Sequence, residues 1–410
     1  MILQQTFEGV IDSQSEFLDK KSTGVDRYKI NSVEAALGFA TIITGIRRCG
    51  KSTLLLQLKK KYSLEKPLFL NFEDPRLANF ETSDFERLYT ELQRRRTRSV
   101  FFDEIQLAKG WEIFANQLLR EDFQVFITGS NASLLSKELG THLTGRHLSY
   151  ELFPFSYNEF LTYFKLESGE KSFKNYLQKG GMPDYLRTKI DKYLNDLLDD
   201  ILIRDVAVRH GLRDINSLRQ LAVYLLTNIG GLVSANSLNG MFGIQSSTTL
   251  LSYFSFLADA YLVEFVPLFD YSYKKQIRNP QKVYAMDLGL HRQNKISFSE
   301  NVGHVLENAV YLHLRQNHQN IYYFQNEGEC DFLTTANGVP IQVFQVCADL
   351  NIMNLDREVN GLFRAMKYFN LTNGRIITLN QSDKFTKDGA EIEVLPAWQW
   401  MSKMSNVYKP

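Results

Sequence analysis

Cysteine is scarce in this chain of 410 residues. Its three cysteines, Cys49, Cys330 and Cys347, are odd in number and far apart. That excludes a disulfide scaffold and fits a reducing, cytoplasmic setting. A surplus of either charge is also missing. Lys plus Arg total 47 and Asp plus Glu total 46, for a net charge of +1. Such a balance excludes a wholesale polybasic nucleic-acid binder, though not a local basic patch. There is no long hydrophobic run. The apolar stretch Ala35 to Ile46 is interrupted by Gly38, Thr41, Thr44 and Gly45, and a bilayer span needs ~20 apolar residues. The start, MILQQTFEGVIDSQSEF, has no basic segment followed by an apolar core and does not read as a signal peptide. Internal repeats and low-complexity tracts are absent. What is present is ordinary for a soluble globular protein: 44% hydrophobic and 23% charged residues. At ~100–200 residues per domain the length suggests two to four domains.

Periodicity divides the chain. Leu3, Phe7, Val10 and Ile11 fall at helical spacing. Apolar strand-like runs follow at Phe39–Thr44, Pro67–Phe72, Ser99–Ile105, Gln124–Ser130 and His147–Phe153, with helices at Ser52–Lys61 and Trp111–Leu119 between them. Near-continuous apolar strands alternating with helices predict a parallel α/β sheet covered on both faces. We place this first domain at 1–160. A helical segment follows at 161–230, broken by Gly180-Gly181-Met182-Pro183. Residues 231–290 then read as a short helix (Ser234–Phe242), a turn at Gly243, a longer helix (Ser246–Tyr261) and the strand-like YLVEFVPLF, the order of a winged helix. Residues 291–410 return to mixed structure, with a helix over Val302–Arg315 and strands at IYYF, CDFLTT and PIQVFQV.

The run Gly45-Ile46-Arg47-Arg48-Cys49-Gly50-Lys51-Ser52 matches G-x-x-x-x-G-K-[ST]. Its glycines let backbone N–H groups close around a triphosphate, and the next helix turns its positive end toward the phosphates. Lys51 reaches the β and γ oxygens, Ser52 ligates Mg²⁺, and Thr53 completes the binding run. The motif sits where it must, after a strand and before a helix. Phe101-Phe102-Asp103-Glu104 is a second, independent signal. Asp103 would hold the Mg²⁺ shell and Glu104 would polarise the attacking water. Alone, an acidic strand end meeting solvent explains such a pair; following a phosphate loop, it favours hydrolysis of ATP.

Other positions stay open. Asn71 could hydrogen-bond Glu104 or be a plain turn residue. Ser130 or Asn131 could meet the γ-phosphate or the water, or Asn131 could cap the helix after it. Arg146 could be an arginine finger on a neighbouring subunit's nucleotide or a solvated surface arginine. The cluster Arg94-Arg95-Arg96-Thr97-Arg98 reads as a helix end rather than a nucleic-acid site. Cys49 reads as a variable position in the loop, although its oxidation could block nucleotide.

The runs TIITGIRRCGKSTLLLQL, LFLNFEDPRL, SVFFDEIQ, FITGSNASLL and LTGRHLSYELFPFSYNEF resemble a family of prokaryotic AAA-type ATPases that carry a C-terminal domain of uncharacterised function. The resemblance continues through GGMPDYL, IRDV, YAMDLGL and GHVLENAVYLHL. It implies that Lys51, Ser52, Asp103 and Glu104 serve nucleotide binding and hydrolysis, Ser130 the sensor position and Arg146 the finger. It also implies a C-terminal domain similar to PD-(D/E)xK nucleases, restriction-endonuclease-like in fold. Glu307 and Asp331 match that pattern's first two acids. The third element reads Gln342-Val343-Phe344, an amide and an aromatic where a carboxylate and a lysine belong. We therefore expect this domain to be catalytically inactive, with Glu307 and Asp331 relics or structural.

Between Gly231 and Leu290 four basic residues (Lys274, Lys275, Arg278, Lys282) meet four acidic ones (Asp259, Glu264, Asp270, Asp287). A duplex-binding winged helix should carry a basic surplus. DNA stays open through the cluster Lys274–Arg278 and through Ser246 to Thr249 at the start of the longer helix. Packing or oligomer contacts are the competing role. Three functions compete for the whole chain. One is a Mg²⁺-dependent ATPase, forming a homo-oligomer with subunit-shared sites and acting on a protein client. Another is a nucleotide-gated module that binds DNA or protein with negligible turnover. The last, a small-molecule kinase, is disfavoured by the Asp103-Glu104 pair and the extra domains.

Overall fold

The computed structural model describes residues 2–20, 22–62, 66–130, 143, 145–296, 301–326 and 328–403. Asn131 and the helix expected after it lie outside these. The chain divides into two compact units. Residues up to Phe153, with Asp259–Tyr261, form the first; Pro154–Ala258 and the chain from Leu262 onward form the second.

The first unit opens with helix α1 (Gln4–Lys20), which buries Phe7, Val10 and Ile11. Leu3, expected on the same stripe, lies just outside the helix and is exposed. Strand β1 (Ala40–Thr44) leads through the glycine loop into α2 (Lys51–Lys61). Strand β2 (Leu68–Asn71), helix α3 (Asp84–Arg95), β3 (Ser99–Asp103), α4 (Trp111–Arg120), β4 (Gln124–Gly129) and β5 (His147–Glu151) follow. The sheet is parallel throughout, in the order β2-β3-β4-β1-β5. Strands β1 and β3 are buried at every residue, as expected of a sheet covered on both faces. One face packs Ile42, Leu70, Phe102 and Ile127 against α1, α3 and α4 through Phe7, Leu88 and Phe114. Alternate residues point the other way, where Phe101 and Phe126 stack at 4.5 Å and Tyr62, at the end of α2, meets Phe126. The arginine cluster is a helix end. Arg94 and Arg95 both bind the buried Glu91, and Arg95 reaches Asp12 of α1 at 2.7 Å.

The second unit begins with helices α5 (Tyr157–Phe164), α6 (Glu170–Lys179), α7 (Pro183–Thr188) and α8 (Lys192–Asp200). A wider π-type turn (Ile201–Ala207) and α9 (Ile215–Thr227) follow. Next come β6 (Leu232–Val233), α10 (Ser247–Asp259), β7 (Val263–Val266), α11 (Tyr273–Arg278) and β8 (Gln281–Ala285). The three strands form an antiparallel sheet in the order β6-β8-β7. Ser234–Phe242, expected as a helix, is a series of turns. Gly240 and Phe242 take left-handed backbone (φ 82° and 56°), and Ser234 and Ser237 bond each other and nearby backbone instead of a helical ladder. Helix α12 (Leu288–Asn294) and α13 (Val302–Arg315) lead to a six-stranded mixed sheet. Its strands are β9 (Ile321–Gln325), β10 (Glu329–Ala336), β11 (Val339–Val346), β12 (Asn373–Thr378), β13 (Asp383–Lys387) and β14 (Ala390–Pro396), in the order β13-β14-β12-β11-β10-β9. Helix α14 (Leu355–Tyr368) covers one face with Leu362, Ala365 and Met366. Helix α15 (Ala397–Ser402) ends the described chain.

Two sequence motifs meet inside this unit. The buried Asp287 carboxylate accepts N–H bonds from Leu290, at the start of α12, and from Gly181 at 2.7 Å. The backbone of Met182 and of Gly289 also faces it. A Cβ on Gly181 would lie 2.3 Å from the Phe155 carbonyl oxygen, so only glycine fits. Burial pushes the Asp287 carboxyl up to about 6 in spite of these donors. At about pH 4, where the Asp287 carboxyl keeps its proton in the folded chain, Asp287→Ala should cost about 3 kcal/mol, because it removes a helix cap and orphans buried N–H groups together; as pH rises past about 6, relief of the buried charge should shrink that cost. Urea unfolding of the purified chain reads this directly; a loss within about 0.5 kcal/mol, as for an ordinary surface site, would show that the clamp is dispensable.

Candidate nucleotide site and the carboxylate pair of the second unit

The loop after β1 is shaped by its glycines. Gly45 has φ 148°, and a Cβ there would lie 2.1 Å from the Leu152 carbonyl oxygen. Gly50 takes left-handed backbone (φ 104°) as it turns into α2. The fully buried Arg27 braces the loop from behind, donating to the carbonyls of Cys49 (2.6 Å) and Phe153 (2.5 Å). Ile46 and the Cys49 thiol face inward. Burial raises the Cys49 pKa and its Sγ points at the Leu152 carbonyl, so the thiol is not poised for oxidation. Arg47 pairs with Glu73 at 3.2 Å, and Arg48 stands in left-handed backbone at the loop's bend (φ 67°). Lys51 is 4% exposed. Its ammonium donates to the carbonyls of Gly45 (3.1 Å) and Ile46 (3.2 Å) and lies 3.7 Å from Glu104. Ser52 and Thr53 begin α2, half-buried.

Parallel register brings the other residues to the same sheet edge. Asn71 pairs with Asp103 across β2 and β3, and Ile43 with Thr128 across β1 and β4. The Thr128 hydroxyl donates to Asp103 at 2.5 Å and accepts the Glu104 N–H at 3.0 Å. Asn71 donates to the other oxygen of Asp103 at 3.0 Å. It therefore steadies Asp103, not Glu104. The Glu104 backbone is left-handed (φ 52°), and its carboxylate accepts from Gln106 at 2.5 Å. Burial first, then the charge of Glu104, push the Asp103 carboxyl up to about 6; hydrogen bonds from Thr128 and Ser52 work the other way. Ser130 is buried at the end of β4. Arg146 is exposed at the opposite end of the sheet, since His147 pairs with Ala40 at the start of β1 and the loop follows Thr44. Four strand residues separate them, ~13 Å, so Arg146 does not reach its own chain's loop.

Gln106 and Arg27 are residues that sequence reasoning missed here, as it missed the role of Thr128 at the end of the fourth strand. A polar side chain on the strand between the two motif strands was the available signal for Thr128. Gln106 carried a weaker one, being polar and two residues from Glu104. Arg27 carried none. The fit to Mg²⁺ is good: Ser52 hydroxyl and Asp103 carboxylate are hard oxygen donors within hydrogen-bond reach of one another.

The acids of the second unit lie elsewhere. Glu307 on α13 and Asp331 on β10 both bind Lys282 of β8, each at 2.8 Å. The third element is displaced from its expected place. Gln342 pairs with Thr334, and Phe344 is buried opposite Phe332. The residue that faces Asp331 is Gln345, whose side-chain oxygen accepts the Asp331 N–H at 3.2 Å. The antiparallel register decides this, because Phe332 pairs with Phe344 and so sets Gln345 opposite Asp331. Gln345 is also neutral, and Cys347 stands two residues on.

A parallel sheet with a glycine phosphate loop after its inner strand and an acid pair at a nearby strand end fits a P-loop nucleotide-binding domain. A family model described as an AAA domain matches residues 38–161, and one described as a domain of unknown function matches residues 170–297. The chain belongs to the same family as the uncharacterized protein MJ1544 of Methanocaldococcus jannaschii, with 34% identity over 392 residues that cover 88% of this chain and 87% of that protein. An uncharacterized protein of Haemophilus influenzae is 31% identical over 302 residues, 67% of this chain and 74% of that one. Among solved structures, AMPPCP-bound DnaA from Aquifex aeolicus aligns over 63% of this chain and 89% of its own at 13% identity and TM-score 0.27. Cdc6p from Pyrobaculum aerophilum aligns over 71% and 91% at 13% and 0.26. Both likenesses are too slight to define a shared architecture. Among the described residues no helix is long and apolar enough to cross a membrane.

Proposed function

We propose that this chain is a Mg²⁺-dependent ATPase of the AAA type whose turnover drives conformational change. The observation that carries the reading is the convergence at one sheet edge of Lys51 beside Glu104, Ser52 beside Asp103, and Thr128 joining the two acids. Backbone N–H groups of residues 45–53 hold the triphosphate of ATP. Lys51 exchanges its loop carbonyls and Glu104 for phosphate oxygens. Ser52 and Asp103 would hold Mg²⁺, which would supply neutralisation of the phosphate charge. Glu104, released by Lys51, accepts a proton from water as the water oxygen bonds the γ phosphorus and the bond to the β-phosphate oxygen breaks. Ser130 supports the γ-phosphate. Arg146, too far from its own loop, serves the nucleotide of a neighbouring subunit in a homo-oligomer. The second unit is catalytically silent in this reading, its nuclease-like pattern degenerate at Gln345 and Cys347.

DNA as a partner rests on the winged-helix-like part. Helix α11 exposes Tyr273 and Ile277, Lys274 and Arg278 stand beside them, and Tyr271 precedes them. Lys275 is offset by Asp270 at 3.4 Å. The test is phosphate release measured against protein concentration, with and without DNA. Turnover per chain should rise steeply with concentration and fall by about 10³-fold or more in Arg146→Ala, the scale of a missing arginine finger. Tight ATP binding with negligible turnover under all conditions would instead make the chain a nucleotide-gated binding module for DNA or protein.

A further inference from the structure

The carboxylate pair of the second unit is filled by the chain itself. The Lys282 ammonium lies 2.8 Å from Glu307 and 2.8 Å from Asp331. The three side chains are 15%, 9% and 11% exposed. The Tyr284 hydroxyl donates to the same Glu307 oxygen at 2.6 Å. The second Asp331 oxygen accepts the Val346 N–H at 2.8 Å. Gln345, the neutral residue facing Asp331, has its oxygen on the Asp331 N–H and donates its amide to Glu358 at 2.7 Å. Three of the four carboxylate oxygens of the pair, and the Gln345 oxygen, are thus turned to donors of the protein.

Two buried carboxylates this close need a positive charge between them. A divalent ion is one solution and a tethered ammonium is another. Lys282 comes from β8 of the three-stranded sheet, Glu307 from α13, and Asp331 from β10 of the six-stranded sheet. The lysine therefore balances the charge and pins three elements at one point. Among the described residues no group of three or more His, Cys, Asp or Glu side chains is placed to hold a metal. The residues present do not fit a metal centre.

We infer that Lys282 is a built-in replacement for a divalent cation, so that the Glu307–Asp331 pair takes no metal in the native chain and is exposed as a cation site only when the lysine is removed. The inference rests on the second unit alone and is independent of ATP turnover. The probe is terbium, whose luminescence is sensitised by a nearby tyrosine, here Tyr284. The full chain is titrated without nucleotide as wild type, Glu307→Gln, Lys282→Met and the double variant Lys282→Met/Glu307→Gln. Wild type and Glu307→Gln should give the same signal, which any background from the acids of the first unit also leaves unchanged. Lys282→Met should gain a saturable signal with apparent affinity about tenfold or more above that background, and the double variant should lose it. A wild-type signal that Glu307→Gln removes would overturn the inference, as would a folded Lys282→Met with no gain. If Lys282→Met does not fold in the absence of metal, it is refolded with millimolar Mn²⁺. Recovery of the native circular dichroism supports the inference, and no recovery with any divalent ion overturns it.

Discussion

Replacing Glu104 with Gln should leave ATP bound and stop its turnover. The geometry separates the two effects. The Glu104 backbone is held by Thr128 through the N–H, not through the carboxylate. The neighbouring Gln106 amide donates to a side-chain oxygen that Gln also carries. The substituted residue therefore keeps its place and loses its charge and basicity. General-base removal at a positioned site lowers turnover by about 10²–10⁴-fold. Affinity for ATP should hold or rise slightly. Lys51 lies 3.7 Å from Glu104, and a neutral neighbour frees it for the phosphates at less cost. Isothermal titration with ATP and Mg²⁺, beside steady-state phosphate release, measures both halves. Turnover within a factor of about three of wild type would move the base to another residue. Lost binding with intact folding would mean that Glu104 shapes the loop and does not act on water.

The first unit was legible because its chemistry is encoded in contiguous backbone. A phosphate loop needs glycines at fixed offsets, and the strand before it and helix after it announce themselves by hydropathy. Parallel strands buried on both faces are unbroken apolar runs, so β1, β3 and β4 could be read within a residue or two. Residues that act across the sheet could not. Thr128 serves Asp103 from a strand 25 positions later, and its role depends on β4 lying between β1 and β3. Arg27 holds Phe153 across 126 positions. Lys282 shows the same limit in the second unit. It counted as one basic residue among four, yet it meets Glu307 and Asp331 across 25 and 49 positions. The shift from Gln342 to Gln345 has a related cause. The pairing of Phe332 with Phe344 across the two strands sets Gln345 opposite Asp331, and nothing local in PIQVFQV marks which of its residues will face that acid. Ser234–Phe242 failed differently, because serine hydroxyls and a left-handed Phe242 overrode a helical pattern.

Asp103→Asn should make the nucleotide-free protein more stable while disabling it. Burial and the charge of Glu104 place the Asp103 carboxyl at about 6, against an ordinary value of 3.8. An acid raised in this way is protonated in the folded chain while it already ionises in the unfolded one. Below about pH 4 both states hold the proton and nothing is lost. As pH rises from about 4 to 6 only the unfolded state releases it, and stability falls. Above about 6 the full penalty is present, about 3 kcal/mol for that separation. Asparagine has no such penalty. It can still accept from Thr128, but its new N–H group faces the Asn71 amide, so one hydrogen bond worth about 1 kcal/mol is lost. The net gain at neutral pH should be about 2 kcal/mol, and the slope of stability between pH 4 and 6 should flatten. Urea unfolding at a series of pH values reads both. Phosphate release should collapse in the same variant, since a neutral amide is a poor partner for Mg²⁺ beside Ser52. A variant less stable than wild type at pH 7 would mean that the ionised Asp103 is fully compensated by Lys51, Ser52 and Thr128. The buried carboxyl at the end of β3 would then carry no charge penalty.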